Sequence, residues 1–186
     1  MTRWRFPAVA IICVLGGVGA ARCSDAGRAC DGQASTTVLL VRHAEKSAEP
    51  AEDPRLSPVG ETRAAELVRV AGEAGIDAIY VTATTRTRRT AEDLAAHLGL
   101  TPIELAPADT DGLARRILDR HRGQTVLAVG HSNTVPAVIE ALGGPSLPDI
   151  DEADYDDLFV VTVPCAGKVT QVQLAFGVAS PRSGPP

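Results

Sequence analysis

Apolar positions along the chain follow two rhythms. The runs VLLV at 38–41, IDAIYV at 76–81 and TVLAVG at 125–130 are nearly unbroken and rich in valine and isoleucine. Strands covered on both faces read this way. Between them apolar residues recur every three or four positions. Ala64, Leu67, Val68 and Ala71 form one such stripe, Ala91, Leu94, Ala95 and Leu98 a second, and Leu113, Ile117 and Leu118 a third. These are the buried faces of amphipathic helices.

Local signals punctuate the two rhythms. Ser57-Pro58 supplies an N-cap and a proline at the first helical position, and Gly75, Gly99 and Gly123 stop the helices that precede them. The pattern predicts strands at Thr36 to Arg42, Ile76 to Val81, Pro102 to Leu105 and Thr125 to His131. It predicts helices from Pro58, over Thr85 to Leu98, from Asp109 or Asp111, and over Asn133 to Leu142, where Pro136 sits in the first turn. Leu158 to Val163 and Val169 to Phe176 read as two further strands, the last alternating like a half-exposed edge. Strands alternating with helices define an α/β three-layer sandwich. Its central sheet is mainly parallel, with helices on both faces and an antiparallel edge strand.

Composition agrees with one globular domain: 186 residues, 45% hydrophobic and 22% charged. Aromatics are only 3%, so the core must be built from Val, Leu, Ile and Ala. The domain is expected over 36–177, with a small, polar linker at 22–35 and a disordered tail at 178–186.

The first 21 residues stand apart. Arg3 and Arg5 precede an uncharged run from Phe6 to Ala21 that ends in small residues. This is the layout of a secretory signal, and it predicts a periplasmic or secreted protein. An uncleaved N-terminal anchor is the alternative, and acylation at Cys23 a third, which Arg22 suits poorly. Either of these would be the chain's only link to a membrane. Of the four cysteines, Cys13 lies inside the signal. Cys23, Cys30 and Cys165 remain, and an oxidising compartment permits a Cys23–Cys30 bridge, the alternative being unpaired thiols. No His/Cys spacing suggests zinc.

Charge narrows the partners. The whole chain carries −5, and loss of Arg3 and Arg5 would leave 16 basic against 23 acidic residues, a balance of −7. An acidic body without aromatic clusters argues against nucleic acid. An anionic substrate would need a local positive site working against the global field.

Such a site is suggested by how the strands end. VLLVRH closes on Arg42 and His43, and VLAVGH closes on His131. In a parallel sheet both ends lie on one edge, where α/β proteins bind ligands. A helix starts just after His131, and Arg86 opens another helix after the strand IDAIYV. Two histidines, two arginines and helix N-termini on one edge suit a dianion such as phosphate.

The motifs then resemble those of the histidine phosphatase superfamily, in its phosphoglycerate mutase-like branch. VRHAEK is similar to its Arg-His-Gly-type motif, with Ala44 where glycine is usual. YVTATTRTRRTAEDLA is similar to the segment carrying a second arginine, here Arg86, four residues before a threonine, here Thr90. AVGHSNTVPAV is similar to the second-histidine motif, and LSPVGETRAAEL to the usual first helix.

The resemblance implies that His43 is a nucleophile receiving a phosphoryl group. Arg42, Arg86 and His131 would bind its oxygens. It implies a phosphorylated small-molecule substrate, no cofactor and no metal. The proton donor that many members use stays unassigned among Asp109, Asp111, Glu104 and Glu45. Arg88 and Arg89 are expected to face solvent or a carboxylate, His97 and His121 to be surface residues, and Ser132 and Asn133 to cap a helix. The run Asp149, Asp151, Glu152, Asp154, Asp156 and Asp157 lacks the spacing of a calcium loop and reads as a solvated acidic loop.

An exported phosphatase is the leading expectation. A phosphohistidine-protein phosphatase, a mutase and a non-catalytic phosphate-recognition module are the alternatives. Only about 40 residues separate Arg86 from the strand before His131, leaving little chain for the lid that a mutase needs.

Overall fold

The computed structural model describes residues 34–181. The expected signal or anchor, Cys23, Cys30 and the last five residues lie outside the described residues. Six strands and four helices follow in the order β1 (Thr36–Arg42), α1 (Pro58–Ala71), β2 (Ile76–Thr82), α2 (Thr85–Leu98), β3 (Ile103–Leu105), α3 (Thr110–Arg120), β4 (Thr125–Gly130), α4 (Thr134–Ala141), β5 (Asp157–Val163) and β6 (Thr170–Ala175). The strands form one sheet in the order β3-β2-β4-β1-β5-β6. β3, β2, β4 and β1 pair in parallel. β5 and β6 complete the other edge in antiparallel pairing.

Alternation along the strands decides the layers. Leu39, Val41, Ile79, Val81, Leu127 and Val129 face α1 and α2, meeting Leu67, Ala71, Ala91 and Leu94. Their neighbours Val38, Leu40, Tyr80, Val126 and Ala128 face α3 and α4, meeting Ala114, Ile117, Val135, Val138 and Ile139. Both faces of the inner strands are therefore covered, which is why those strands read as unbroken apolar runs. Both clusters are almost wholly aliphatic, as the aromatic content requires.

The helix signals act where the sequence carries them. The Ser57 hydroxyl accepts from Gly60 N–H, with Pro58 at the first helical position of α1. Asp109, rather than Asp111, caps α3 by accepting from Gly112 N–H. Gly99 ends α2 at φ 67°, a left-handed conformation that a side chain would strain. Gly60 answers to space: a Cβ there would lie 2.2 Å from the Glu45 carbonyl oxygen. That close approach seats the start of α1 against the segment that follows β1.

Two expectations need correction. The acidic loop is not simply solvated: Asp156 and Asp157 are 2% and 5% exposed. The tail, expected to be disordered from 178, is packed as far as Ser180. Buried Arg63 donates to the carbonyls of Phe176 and Val178, while the Ser180 hydroxyl accepts from Tyr155 N–H. Small and proline-rich composition signalled a lack of helix or strand here, and hydrogen bonds hold the segment without either.

Cys165 is disulfide-bonded. It is the only cysteine among the described residues, and Ala34, the first of them, lines the same small cavity. No helix among the described residues is long and apolar enough to cross a membrane.

Candidate functional site

The parallel pairing of β1 with β4 brings the two histidines together. Arg42 stands opposite Gly130, and His43 N–H donates to the Gly130 carbonyl at 2.9 Å. The chain leaves β1 for β2 and β3 over one face of the sheet, then returns over the other to lay β4 between β1 and β2. A crevice of this kind, at the carboxyl ends of strands, is where open α/β sheets take ligands. His43 follows β1, His131 follows β4, and Arg86 lies in the first turn of α2, just beyond β2. The structure thus brings Arg42, His43, Arg86 and His131 to one edge.

His43 is 3% exposed. Its Nδ1 lies 2.8 Å from the Ala44 carbonyl oxygen. A carbonyl can only accept, so Nδ1 carries the proton and Nε2 carries the lone pair. Burial is the main cause that lowers this imidazole to about 3, with the charges of Arg42 and Arg86 adding to it against the pull of the Ala44 carbonyl. The ring is therefore neutral at pH 7, with a nucleophilic nitrogen that makes no hydrogen bond among the described residues.

His131 is held differently. Arg86 Nη2 donates to its Nδ1 at 3.3 Å, and its Nε2 lies 2.9 Å from Thr82 Oγ1. Arginine can only donate, so Nδ1 accepts and Nε2 donates to the threonine. Thr82 Oγ1 is in turn 3.0 Å from Thr87 Oγ1, which donates to the Thr82 carbonyl. Burial first, then Arg86, Arg42 and Lys46, lower His131 to about 4.

The arginines are fixed from loops. Arg42 is 2% exposed. Its Nη1 donates to the carbonyls of Asp151 and Asp154 at 2.7 and 2.9 Å, and its Nη2 to Glu152 Oε2 at 2.9 Å. Its guanidinium lies 4.1 Å above the Tyr155 ring, which also sits 6.0 Å from the His43 ring. Arg86 has Asp53 at 3.9 Å. Asp53 also accepts from the backbone and hydroxyl of Thr85, and those bonds, with Arg86 behind them, lower its carboxyl. Thr90 joins the two halves: its hydroxyl accepts from Ala44 N–H and donates to the Arg86 carbonyl.

Two donors remain without partners. Nε of Arg42 and Nε of Arg86 are buried and make no hydrogen bond. An orphaned buried donor is costly, and on a charged group more so. Both sit on the arginines flanking His43 and His131, and two buried cationic donors of this kind have the chemistry to take an anion.

The unassigned acids are engaged elsewhere. Glu45 takes a bidentate pair from buried Arg63, Asp109 caps α3, and Glu104 pairs with Arg88 at the surface. Asp111 is an exposed first-turn acid of α3. The carboxylates that do reach the site, Asp53 and Glu152, come from irregular loops without periodicity, and the sequence offered no signal for them. The same holds for Tyr155. Arg89 pairs with Glu61 and Glu92, His97 is exposed, and His121 bonds to Tyr80 OH and Gln124. Asp154, Asp156 and Asp157 bring carboxylate oxygens within 4.8 Å of one another.

Fold and site together define an α/β protein whose sheet edge gathers two histidines and two buried guanidinium groups, with one neutral, unpartnered imidazole nitrogen among them. The model of the histidine phosphatase superfamily (branch 1) matches residues 38–108. No match exists among curated proteins. The chain is similar to the solved structure of the protein histidine phosphatase SixA complexed with tungstate: 20% identity, TM-score 0.59, 75% of this chain and 96% of that one. It is similar to Bacillus stearothermophilus YhfR at 19% identity and TM-score 0.58, over 73% of this chain and 94% of that one. For the mycobacterial glucosyl-3-phosphoglycerate phosphatase the values are 14%, 0.57, 74% and 97%. The resemblance drawn from the motifs is borne out, and the chain has the histidine phosphatase fold.

Proposed function

We propose that the protein is an exported phosphatase that hydrolyses a phosphate monoester through a phosphohistidine on His43, without a metal. The observation that carries this reading is the pair of unpartnered, buried guanidinium Nε–H groups on either side of a neutral imidazole. In the first step the Nε2 lone pair of His43 forms a bond to phosphorus as the bond to the leaving oxygen breaks. The departing oxygen takes a proton from water. In the second step water attacks phosphorus and gives up a proton that neutralises the hydroxide left by the first step, while the P–N bond breaks and its electron pair returns to His43. Arg42 and Arg86 donate to the equatorial oxygens and stabilise the charge they carry. His131 joins them from Nδ1 once the anion draws Arg86 off that nitrogen and the ring proton moves there from Nε2, which then accepts from Thr82 Oγ1.

Support for export is the signal-like N-terminus together with the disulfide at Cys165, a bond that suits an oxidising compartment. A small-molecule substrate suits a site with only β3 and α3 between α2 and β4, and so no inserted lid.

The test is rapid quenching of the purified protein with a panel of phosphomonoesters in excess EDTA. An acid-labile phosphoenzyme and steady turnover, both inhibited by vanadate, are expected. Phosphate binding without any phosphoenzyme would instead mark a recognition module. Activity lost in EDTA and restored by one divalent ion would remove the metal-free mechanism.

A further inference from the structure

The position of Glu152 is peculiar for an acid beside an anion site. Its Oε2 accepts from Arg42 Nη2 at 2.9 Å and its Oε1 accepts from Ser132 Oγ at 2.9 Å. Arg42 closes β1, and Ser132 follows His131 beyond β4. The carboxylate therefore bridges the ends of the two strands that carry the histidines. It is not needed to hold Arg42, which two backbone carbonyls and the Tyr155 ring already fix. Nor is it confined: the Glu152 side chain is 72% exposed, while that of Arg42 is 2% exposed. One partner is rigid and the other is free to swing into solvent. The Ser132 hydrogen bond and Arg42 hold the carboxyl below its usual range, so it is anionic at neutral pH.

We propose that Glu152 is a built-in competitor for the phosphoryl group: in the free protein its carboxylate holds Arg42 Nη2, the donor next to the unpartnered Nε–H, and must swing out when a phosphoryl group takes Nε and Nη2 together. This rests on the phosphate-binding reading above. The consequence is selectivity by charge. A phosphomonoester dianion attracts Arg42 more strongly than one carboxylate does and displaces it. A monoanion, such as a phosphodiester or a carboxylate ligand, gains no such advantage. Glu152 is thus a specificity-determining residue that raises the threshold for entry.

The sign of one substitution decides the matter. Glu152→Gln keeps the volume and the hydrogen-bonding reach but removes the charge. If Glu152 competes, the variant binds inorganic phosphate more tightly, by up to about fivefold, the scale of one exposed ion pair removed. Dimethyl phosphate, a monoanion, should bind the variant measurably and the wild type poorly. If Glu152 only positions Arg42, the same variant binds phosphate equally or more weakly, and the proposal is overturned. Calorimetric titration of both proteins reads this directly, with melting temperatures confirming that both are folded. A structure with vanadate bound should show the Arg42–Glu152 contact broken; an intact contact would overturn the proposal. A wild type that binds no phosphate at all would bring down the phosphatase reading, a result distinct from equal binding by both proteins.

Discussion

The imidazoles of His43 and His131 stand 5.4 Å apart between centroids, edge to face, although 88 positions separate them in the chain. Neither ring sets that separation. Adjacent strands lie about 4.8 Å apart, and the His43 N–H to Gly130 carbonyl bond locks β1 and β4 in register at their ends. The spacing of the two strand ends is a property of the backbone, and it should persist when one side chain is changed.

Replacement of His43 by asparagine should therefore leave the site's frame standing while removing its nucleophile. No phosphoenzyme should form, and turnover should fall by roughly three or more powers of ten, as for a residue that acts as part of a unit. Rapid-quench labelling, steady-state rates and melting temperature on one preparation test this. Wild-type turnover by the variant would refute the assignment of His43.

Arg86→Ala removes a donor to His131 and one of the two orphaned Nε–H groups. A loss on the order of 10²–10³ in kcat is expected, the scale for one charge-stabilising donor. Because Arg86 is the largest charge that holds His131 down, the His131 imidazole should also titrate at higher pH in the variant. NMR titration of the ring protons checks that second effect.

Stability should fall as the solution is acidified below the ordinary histidine range. His43 and His131 are lowered from 6.5 to about 3 and about 4. Above 6.5 both are neutral, folded or unfolded, and stability is fully kept. As pH falls below 6.5 the unfolded chain takes up protons that the fold refuses, so stability declines until the folded pKa values are reached. Asp154, raised to about 6 chiefly by burial, works in the opposite direction. The comparison between wild type and His43→Asn cancels it. Denaturant unfolding at pH 7 and 4.5 should show a smaller loss in the variant.

Arg63 should matter for stability rather than chemistry. It is 3% exposed and holds Glu45, Phe176 and Val178 at once. Arg63→Ala strands those acceptors and should cost about 3–5 kcal/mol, measured by urea unfolding. Glu45→Gln should cost less and should leave the pH dependence of turnover unchanged. An acidic or basic limb lost in that variant would return Glu45 to the list of proton donors.

Export predicts a mature N-terminus near Ala21 or Arg22. N-terminal sequencing of protein recovered from the native host checks this. Intact Met1 on soluble cytosolic protein would contradict it.

Much of the scaffold was legible because it depends on local rules. Runs such as VLLV declare burial on both faces, and Ser57-Pro58 and Gly99 mark helix ends whatever surrounds them. The candidate site was legible for the same reason: Arg42, His43 and His131 sit at strand ends, and Arg86 at a helix start. Strand order was not legible, since nothing in Thr125–Gly130 says that it lies between β1 and β2. Asp53, Glu152 and Tyr155 were missed because irregular loops carry no period. Composition gave the acidic run a charge but no direction, and so concealed that it wraps a buried arginine.

The hydrogen bond from Tyr155 N–H to Ser180 has a practical bearing on how this protein is handled. Ser180 also donates its own N–H to Asp156, so the end of the described chain is laced to the loop that grips Arg42. A C-terminal tag, fusion or trimming cut is thus a handle on that loop. Material shortened before Ser180 should behave as a different preparation, with a loosened arginine grip, even when its helices and sheet are intact.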